Sequence, residues 1–336
     1  MKAIIVGLGG RAGTWIGVCG GHEEVEIVGY VEPVEERRKV VAEKHCIPDG
    51  QLFVDLADAV GVVEADFIVD VTPPAAHEAV ASAAFDAGLH VLGEKPLSDD
   101  FDAAKRIVAA SKAAGRTHMI TQNYRFTLPP RTTRRLLAEG LIGKPEQVGI
   151  QFYMPWATRP GTHYVEFPYM LLKDMGIHHF DMMRYVLACD PISVRCMTWN
   201  PSWGWHKGDA SHVALFEFEG GLRVVHTAFG SSVGRKTAWN GDWQIEGPEG
   251  SISWENDKIF HSRSFPADKA AREEIPPDDI PLSGPDAILA EFVAAVKEGR
   301  EPECSGRDNL NSLAMTTGAV MSAEQGRKVE IAELLG

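Results

Sequence analysis

A chain of 336 residues is long enough for about two domains. With 44% hydrophobic and 24% charged residues it holds enough apolar material to offset its ordering entropy, which excludes a disordered chain. Its 47 acidic against 33 basic residues leave a formal net charge of -14, which argues against general nucleic-acid binding and against docking on anionic lipid.

In chain order, the N-terminus carries one lysine, then Ala3-Ile4-Ile5-Val6, then glycines. That pattern lacks the apolar stretch and small-residue cleavage site of a secretion signal, and no run approaches the roughly 18 apolar residues of a membrane span. The five cysteines (Cys19, Cys46, Cys189, Cys196, Cys304) are far apart and form no Cys-x-x-Cys pair. These features predict a cytoplasmic protein with reduced, mostly buried thiols.

Ala3–Val6 is a short apolar run that stops at Gly7, as a strand buried on both faces does. Val25–Val31 stops at Glu32-Pro33, Ala65–Val71 at Thr72-Pro73-Pro74, and Leu89–Gly93 at Glu94-Lys95-Pro96. Helical patterns separate them: Val34–Lys44, Ala75–Ala87 and Asp100–Ala114. Alternating strands and helices predict a parallel sheet with right-handed crossovers, and ligands bind such sheets at the carboxyl ends of the strands. A fifth strand is expected over Thr117–Gln122. Beyond it, Arg131–Glu139 and Tyr169–Ala188 read as helices, the second amphipathic. Ser211–Glu219, Leu222–Phe229, Trp243–Glu246 and Ser251–Trp254 read as strands, with hairpin turns at Glu219-Gly220-Gly221 and Gly247-Pro248-Glu249-Gly250. A Pro-rich loop over Ile275–Pro285 precedes two final helices, Pro285–Glu298 and Arg307–Gln325. The expected fold is an α/β Rossmann domain over 1–122 and an α+β domain over 123–336, built on a large, mostly antiparallel open sheet.

Gly7-Leu8-Gly9-Gly10-Arg11-Ala12 lies between the first strand and a helix, in the form G-x-G-x-x-A. Gly7 suits the tight turn, Gly9 the approach to a pyrophosphate, and Ala12 the close packing of helix on strand; Gly10 and Arg11 lie at the helix N-terminus that would face the phosphates. Glu32 closes the second strand, where a carboxylate accepts hydrogen bonds from both ribose hydroxyls of an adenosine and repels a 2′-phosphate. The cofactor expected is therefore NAD, with NADP second. Arg37 and Arg38 fall where the following helix is expected to carry them away from that acid.

Thr72-Pro73-Pro74 with His77, and Gly88-Leu89-His90-Val91-Leu92-Gly93-Glu94-Lys95-Pro96-Leu97, are similar to the glucose–fructose oxidoreductase / inositol dehydrogenase / rhizopine-catabolism (Gfo/Idh/MocA) family. Asp174-Met175-Gly176-Ile177-His178-His179-Phe180-Asp181 resembles that family's D-x-G-x-H-x-x-D helix, and Ser305–Leu310 and Ser322–Arg327 in the tail are similar as well. The chain departs from the family in two places. Tyr169–Lys173 stands where a glycine run often precedes the Asp, and Trp199–Asp209 matches no family pattern. The resemblance implies NAD or NADP in the first domain, with Thr72, Pro73, Pro74, His77, Glu94, Lys95 and Asn123 among the residues around it. It also implies oxidation of a secondary hydroxyl of a sugar or cyclitol, and dimers or tetramers formed through the open face of the C-terminal sheet.

Oxidising an alcohol requires the carbon to be held against the acceptor, the hydroxyl proton to be removed and the developing oxygen charge to be stabilised. Lys95, at a strand's carboxyl end, can hold the substrate oxygen with its ammonium. Asp174 and His178 are four apart on a predicted helix and share a face. An imidazole titrates near neutrality, so His178 is assigned as general base and Asp174 as its orienting group or as a partner for a neighbouring hydroxyl. Asp181 could hold the other ring nitrogen of His178; His179 is rotated about 100° away and is the poorer base. Asp174, His178 and Asp181 could instead bind a metal, but the expected site holds none. Asn123 and Arg125 follow the fifth strand; the resemblance implies that Asn123 touches the nicotinamide ribose or the substrate, and Arg125 is a substrate residue or a hinge salt-bridge residue. Trp156, Arg159 and His163 lie in a polar-aromatic loop suited to a sugar or a subunit contact, and Arg159, His163 and Lys173 hint at an acidic sugar.

The reading is an NAD-dependent dehydrogenase of a sugar, sugar acid or cyclitol. The alternative is an NAD-retaining glycoside hydrolase working by oxidation, elimination, hydration and reduction on the same residues. A non-catalytic NAD-binding regulator is a third reading, against which Lys95, Asp174 and His178 together speak.

Overall fold

The computed structural model describes residues 1–155, 163–263 and 271–336. The chain divides into two compact units, Met1–Asn123 with Leu282–Leu310, and Tyr124–Pro281 with Asn311–Gly336. The sequence pattern placed everything after residue 122 in one domain; segment 282–310 instead returns to the first unit.

In the first unit β1 (Lys2–Val6), α1 (Ala12–Gly21), β2 (Glu26–Val31), α2 (Glu35–His45), β3 (Leu52–Phe53), α3 (Leu56–Val62), β4 (Phe67–Asp70), α4 (His77–Asp86), β5 (His90–Gly93), α5 (Phe101–Ala114) and β6 (His118–Ile120) follow one another. The six strands form one sheet in the order β3-β2-β1-β4-β5-β6, all parallel. Strand order reverses between β1 and β4, the crevice where such sheets bind ligands. Ala3–Val6 and Phe67–Asp70 are buried throughout, which explains why these strands read as unbroken apolar runs. Local signals set the helix ends. The Asp100 carboxylate accepts the Ala103 N–H at 2.7 Å to start α5, and Gly115 ends it at φ 61°.

In the second unit α6 (Leu128–Ala138) precedes β7 (Gln147–Tyr153), α7 (Ile177–Leu187), β8 (Pro191–Trp199), β9 (Ser211–Phe218), β10 (Arg223–Phe229), β11 (Asp242–Gly247), β12 (Gly250–Glu255), β13 (Lys258–Ser262), β14 (Arg272–Ile275) and β15 (Val329–Glu330). They form a nine-stranded sheet in the order β14-β13-β12-β11-β7-β10-β9-β8-β15, antiparallel except for β7 with β10. Both expected hairpins are present, β9 turning into β10 and β11 into β12. The segment expected to be one amphipathic helix differs. Leu171–Gly176 is a π-helical turn, and Ile177 to Val186 of α7 are all buried. A helix buried on every side belongs in a core rather than at a surface. Gly176 permits this packing, since a Cβ there would lie 3.1 Å from the Leu171 carbonyl oxygen and 3.2 Å from the Phe180 ring.

Between β14 and β15 lie α8 (Gly284–Glu298) and α9 (Gly306–Gln325), and a short α10 (Ala332–Leu335) closes the chain. Phe292 of α8 packs on Phe67 of β4 with ring centroids 5.0 Å apart, which anchors the returning segment in the first unit.

Three buried histidines form a chain inside the second unit. His179 Nε2 lies 2.8 Å from the Trp239 carbonyl oxygen, His179 Nδ1 lies 2.9 Å from His226 Nε2, and His226 Nδ1 lies 2.9 Å from His212 Nε2. A carbonyl only accepts, so in neutral rings every Nε2 carries the proton. Burial pushes His179 down to about 4, His212 to about 3 and His226 well below its ordinary range. The unfolded chain takes up these protons near pH 6.5, and the fold does so only below the depressed values. Stability is therefore full above about pH 6.5 and falls on acidification, by up to about 1.4 kcal/mol per pH unit for each ring. Denaturation midpoints measured from about pH 7 to about pH 5, where carboxylates stay ionised, are expected to drop steadily; a flat profile would contradict neutral buried rings.

Candidate active site

The glycine loop takes its shape from Gly7. Its φ is 90°, its N–H donates to the Val31 carbonyl at 2.8 Å, and a Cβ there would lie 2.9 Å from the backbone of Val71 and Thr72. Gly9, Gly10 and Arg11 are exposed, a Cβ on Gly9 or Gly10 would meet only open space, and Ala12 is buried beneath them. The start of α1 has no side-chain cap, so the loop presents backbone donors at an open helix N-terminus. These features fit a dinucleotide pyrophosphate.

Glu32 is buried at the end of β2, and its carboxylate accepts the Leu8 N–H at 2.9 Å and the Val34 N–H at 3.1 Å. It thereby ties the glycine loop to the next strand and retains lone pairs for ribose hydroxyls. Contrary to the expectation from the sequence, the helix does not carry the two arginines away. Arg37 lies 3.8 Å from the Glu32 carboxylate, and Arg38 donates to the Glu32 carbonyl. The reason is that α2 begins only three residues after Glu32, so its first turn folds back over that residue.

After β4, Asp70 accepts from the Thr72 N–H at 3.0 Å and the Thr72 hydroxyl at 2.6 Å. Burial pushes the Asp70 carboxyl up, against the pull of His77 and of the two Thr72 donors. Thr72 and Pro74 are half-buried and Pro73 is exposed, which leaves this loop accessible. His77 is buried, with both ring nitrogens on backbone carbonyls, so it braces the loop where a cofactor contact was expected. Glu94 likewise turns inward. Its Oε1 accepts from Trp15 Nε1 at 2.7 Å and from Arg11 at 3.2 Å. Lys95 follows it, half-buried at the carboxyl edge of the parallel sheet. Trp15 and Asp70 are site residues that the sequence pattern did not single out. Asp70, as the last residue of an apolar strand, carried a usable signal.

Asn123 is half-buried just beyond β6 and opens a short 3-10 turn, Asn123–Phe126. In the second unit, Asp174 lies in the π turn and accepts from the Tyr164 hydroxyl at 3.2 Å. His178, the second residue of α7, sets its ring against the edge of Tyr124 at a centroid distance of 4.5 Å. Asp181 does not hold His178 as the helical spacing suggested. Its carboxylate takes a fork from Arg125, with Nε at 2.7 Å, and accepts the Ser312 hydroxyl at 3.0 Å. The same pair withdraws Arg125 from the substrate candidates, because a guanidinium 4% exposed against a carboxylate 1% exposed is a buried structural fork. It also takes Asp181 out of any metal site with Asp174 and His178. Trp156 and Arg159 lie outside the described residues, and of His163 only the backbone, at the start of a 3-10 turn, is described.

A family model described as the oxidoreductase family, NAD-binding Rossmann fold, matches residues 1–122, and one described as the GFO/IDH/MocA C-terminal domain matches residues 130–253. The chain is 29% identical to the inositol 2-dehydrogenase of Rhizobium meliloti over 83% of this chain and 84% of that protein. It is 24% identical to the D-apiose dehydrogenase of Paraburkholderia graminis over 99% of this chain and 90% of that one. An oxidoreductase from Agrobacterium radiobacter, solved in complex with NAD+, L-tartaric acid and magnesium, has the same fold, with a TM-score of 0.87 at 20% identity over 99% of both chains.

Proposed function

From the premise that the chain belongs to the GFO/IDH/MocA oxidoreductase family, we propose that it is an NAD-dependent dehydrogenase oxidising a secondary hydroxyl of a sugar, sugar acid or cyclitol. One observation carries this reading: Lys95 stands at the carboxyl edge of the sheet whose first loop fits a pyrophosphate, with a neighbour anchored on each side. The names of the apiose and inositol dehydrogenases support a polyhydroxylated substrate and favour net oxidation over the redox-neutral glycosidase.

Gly7, Gly9, Gly10, Arg11, Ala12, Glu32, Thr72, Pro73, Pro74 and Asn123 would hold NAD, which when bound supplies the two-electron acceptor. Lys95 donates to the substrate oxygen and stabilises its charge as the hydroxyl proton leaves. His178 takes that proton on an imidazole nitrogen. Asp174, steadied by Tyr164, accepts from a neighbouring hydroxyl, with Asn123 and His163 as further substrate contacts.

Free sugars, inositols, uronates and nitrophenyl glycosides, each incubated with NAD and with NADP, test it. NADH should accumulate with at least one unglycosylated polyol. Nitrophenol release without NADH would overturn the reading in favour of the glycosidase. Glu32→Ala is expected to raise the KM for NAD at least about tenfold, since it removes a charged acceptor. With Arg37 and Arg38 left facing the site, preference should shift toward NADP; an unchanged NAD/NADP ratio of kcat/KM would remove Glu32 from ribose recognition.

The open face of the second sheet presents Met197, Leu215 and Val225, each more than a third exposed, on three neighbouring strands. An apolar patch on a sheet suits a homodimer or homotetramer, which sedimentation equilibrium of the intact protein would read. Among the described residues no helix is long and apolar enough to cross a membrane. Five free cysteines and an NAD-linked activity suit the cytoplasm.

A further inference from the structure

We propose that His77 is a positioning residue for Lys95 and works as the imidazolium, its two ring N–H groups clamping the carbonyls of Thr72 and Pro96. This rests on the reading that Lys95 meets the substrate.

His77 is the first residue of α4 and is 4% exposed. Its Nδ1 lies 3.0 Å from the Pro96 carbonyl oxygen and its Nε2 lies 3.0 Å from the Thr72 carbonyl oxygen. Carbonyl oxygens only accept, and a neutral imidazole has one N–H. A neutral ring would hold a bare nitrogen lone pair against a carbonyl lone pair in a buried place, which is costly. The doubly protonated ring satisfies both contacts.

The groups around it fit that charge. Thr72, whose carbonyl the ring holds, donates from its N–H and its hydroxyl to Asp70 on β4, so a carboxylate stands at the far end of the same residue. Asp70 in turn feels Glu94 from the end of β5. His118 on β6 is held neutral, pushed down to about 3 by burial first and by His77 second. The start of α4 disfavours a cation weakly; the Asp70 carboxyl, though pushed up by burial, accepts two hydrogen bonds from Thr72, which favour its ionised form.

The clamp joins the loops after two adjacent strands, β4 and β5, and grips the residue that follows Lys95. On the other side Glu94 is tied to Trp15 and Arg11. Lys95 is thus carried between two anchored neighbours, which fix the point and direction from which its side chain leaves the loop. Freeing one side displaces it, and a misplacement of about an ångström costs about 10²-fold in rate.

Selective ¹⁵N labelling of histidine in the full-length protein at about pH 7, with His77 assigned through His77→Gln, should show both ring nitrogens protonated; a bare ring nitrogen on His77 overturns the proposal. His77→Gln, which reaches only one carbonyl, and His77→Phe should each lower kcat by about 10²-fold, with a smaller change in the KM for NAD. Unchanged kcat in both overturns it too. Should the variants fail to fold, the ring-proton measurement on the native protein decides alone. The two readings fail separately: a protein that oxidises no alcohol loses the dehydrogenase but keeps the ring-proton result, and an active enzyme with a neutral His77 loses only the clamp.

Discussion

Lys95→Met is expected to lower turnover by about 10²- to 10³-fold while leaving NADH binding intact, because it removes one preorganised donor from a developing oxygen charge and keeps the length of the side chain. The loss should fall on kcat and kcat/KM alike, since the donor matters most where the charge is greatest. Glu94 and Pro96 remain tied to Trp15 and His77, so the loop itself has no reason to collapse. NADH fluorescence titration alongside steady-state kinetics separates the outcomes. Near-normal turnover would remove Lys95 from the chemistry, and lost NADH binding would make it a cofactor residue.

His178→Asn should cost about 10²- to 10⁴-fold in kcat, the range for losing a positioned general base. Its distinguishing mark lies in the pH profile. With His178 as the base, an acid limb expected in the native kcat profile should be absent from the variant, because no group at that position titrates. The asparagine is small enough to sit against Tyr124 and leaves the Arg125–Asp181 fork untouched, so a folded protein is expected. An acid limb that survives in His178→Asn assigns the base to another residue.

The fold was legible in the sequence wherever the signal was local. Four apolar runs became β1, β2, β4 and β5, and the unusual residues that end them lie at the carboxyl edge where the sheet order predicts ligands. The edge strands β3 and β15 are two residues long, too short to carry periodicity. Tyr169–Ala188 misled because its apolar content is that of a core helix and its first turn is π-helical, which no α-period test detects. At the site, helical spacing put Asp181 beside His178. Spacing alone does not reveal that a guanidinium with better geometry would claim the carboxylate first.

Residue order by itself determined the parallel sheet of the first unit, the glycine loop after β1, the position of Lys95 after its strand and the family. Each of these depends on contacts within about a dozen residues or on short motifs, where backbone periodicity and turn chemistry act directly. Tertiary structure alone decided which carboxylate binds what. It placed Arg125 and Ser312 on Asp181, linked His179, His226 and His212 into one chain, folded Arg37 and Arg38 back onto Glu32, and set His77 between two carbonyls. Most of those partners lie far apart along the chain, and which polar groups meet in a buried place is settled only when packing excludes water and leaves each donor its nearest acceptor.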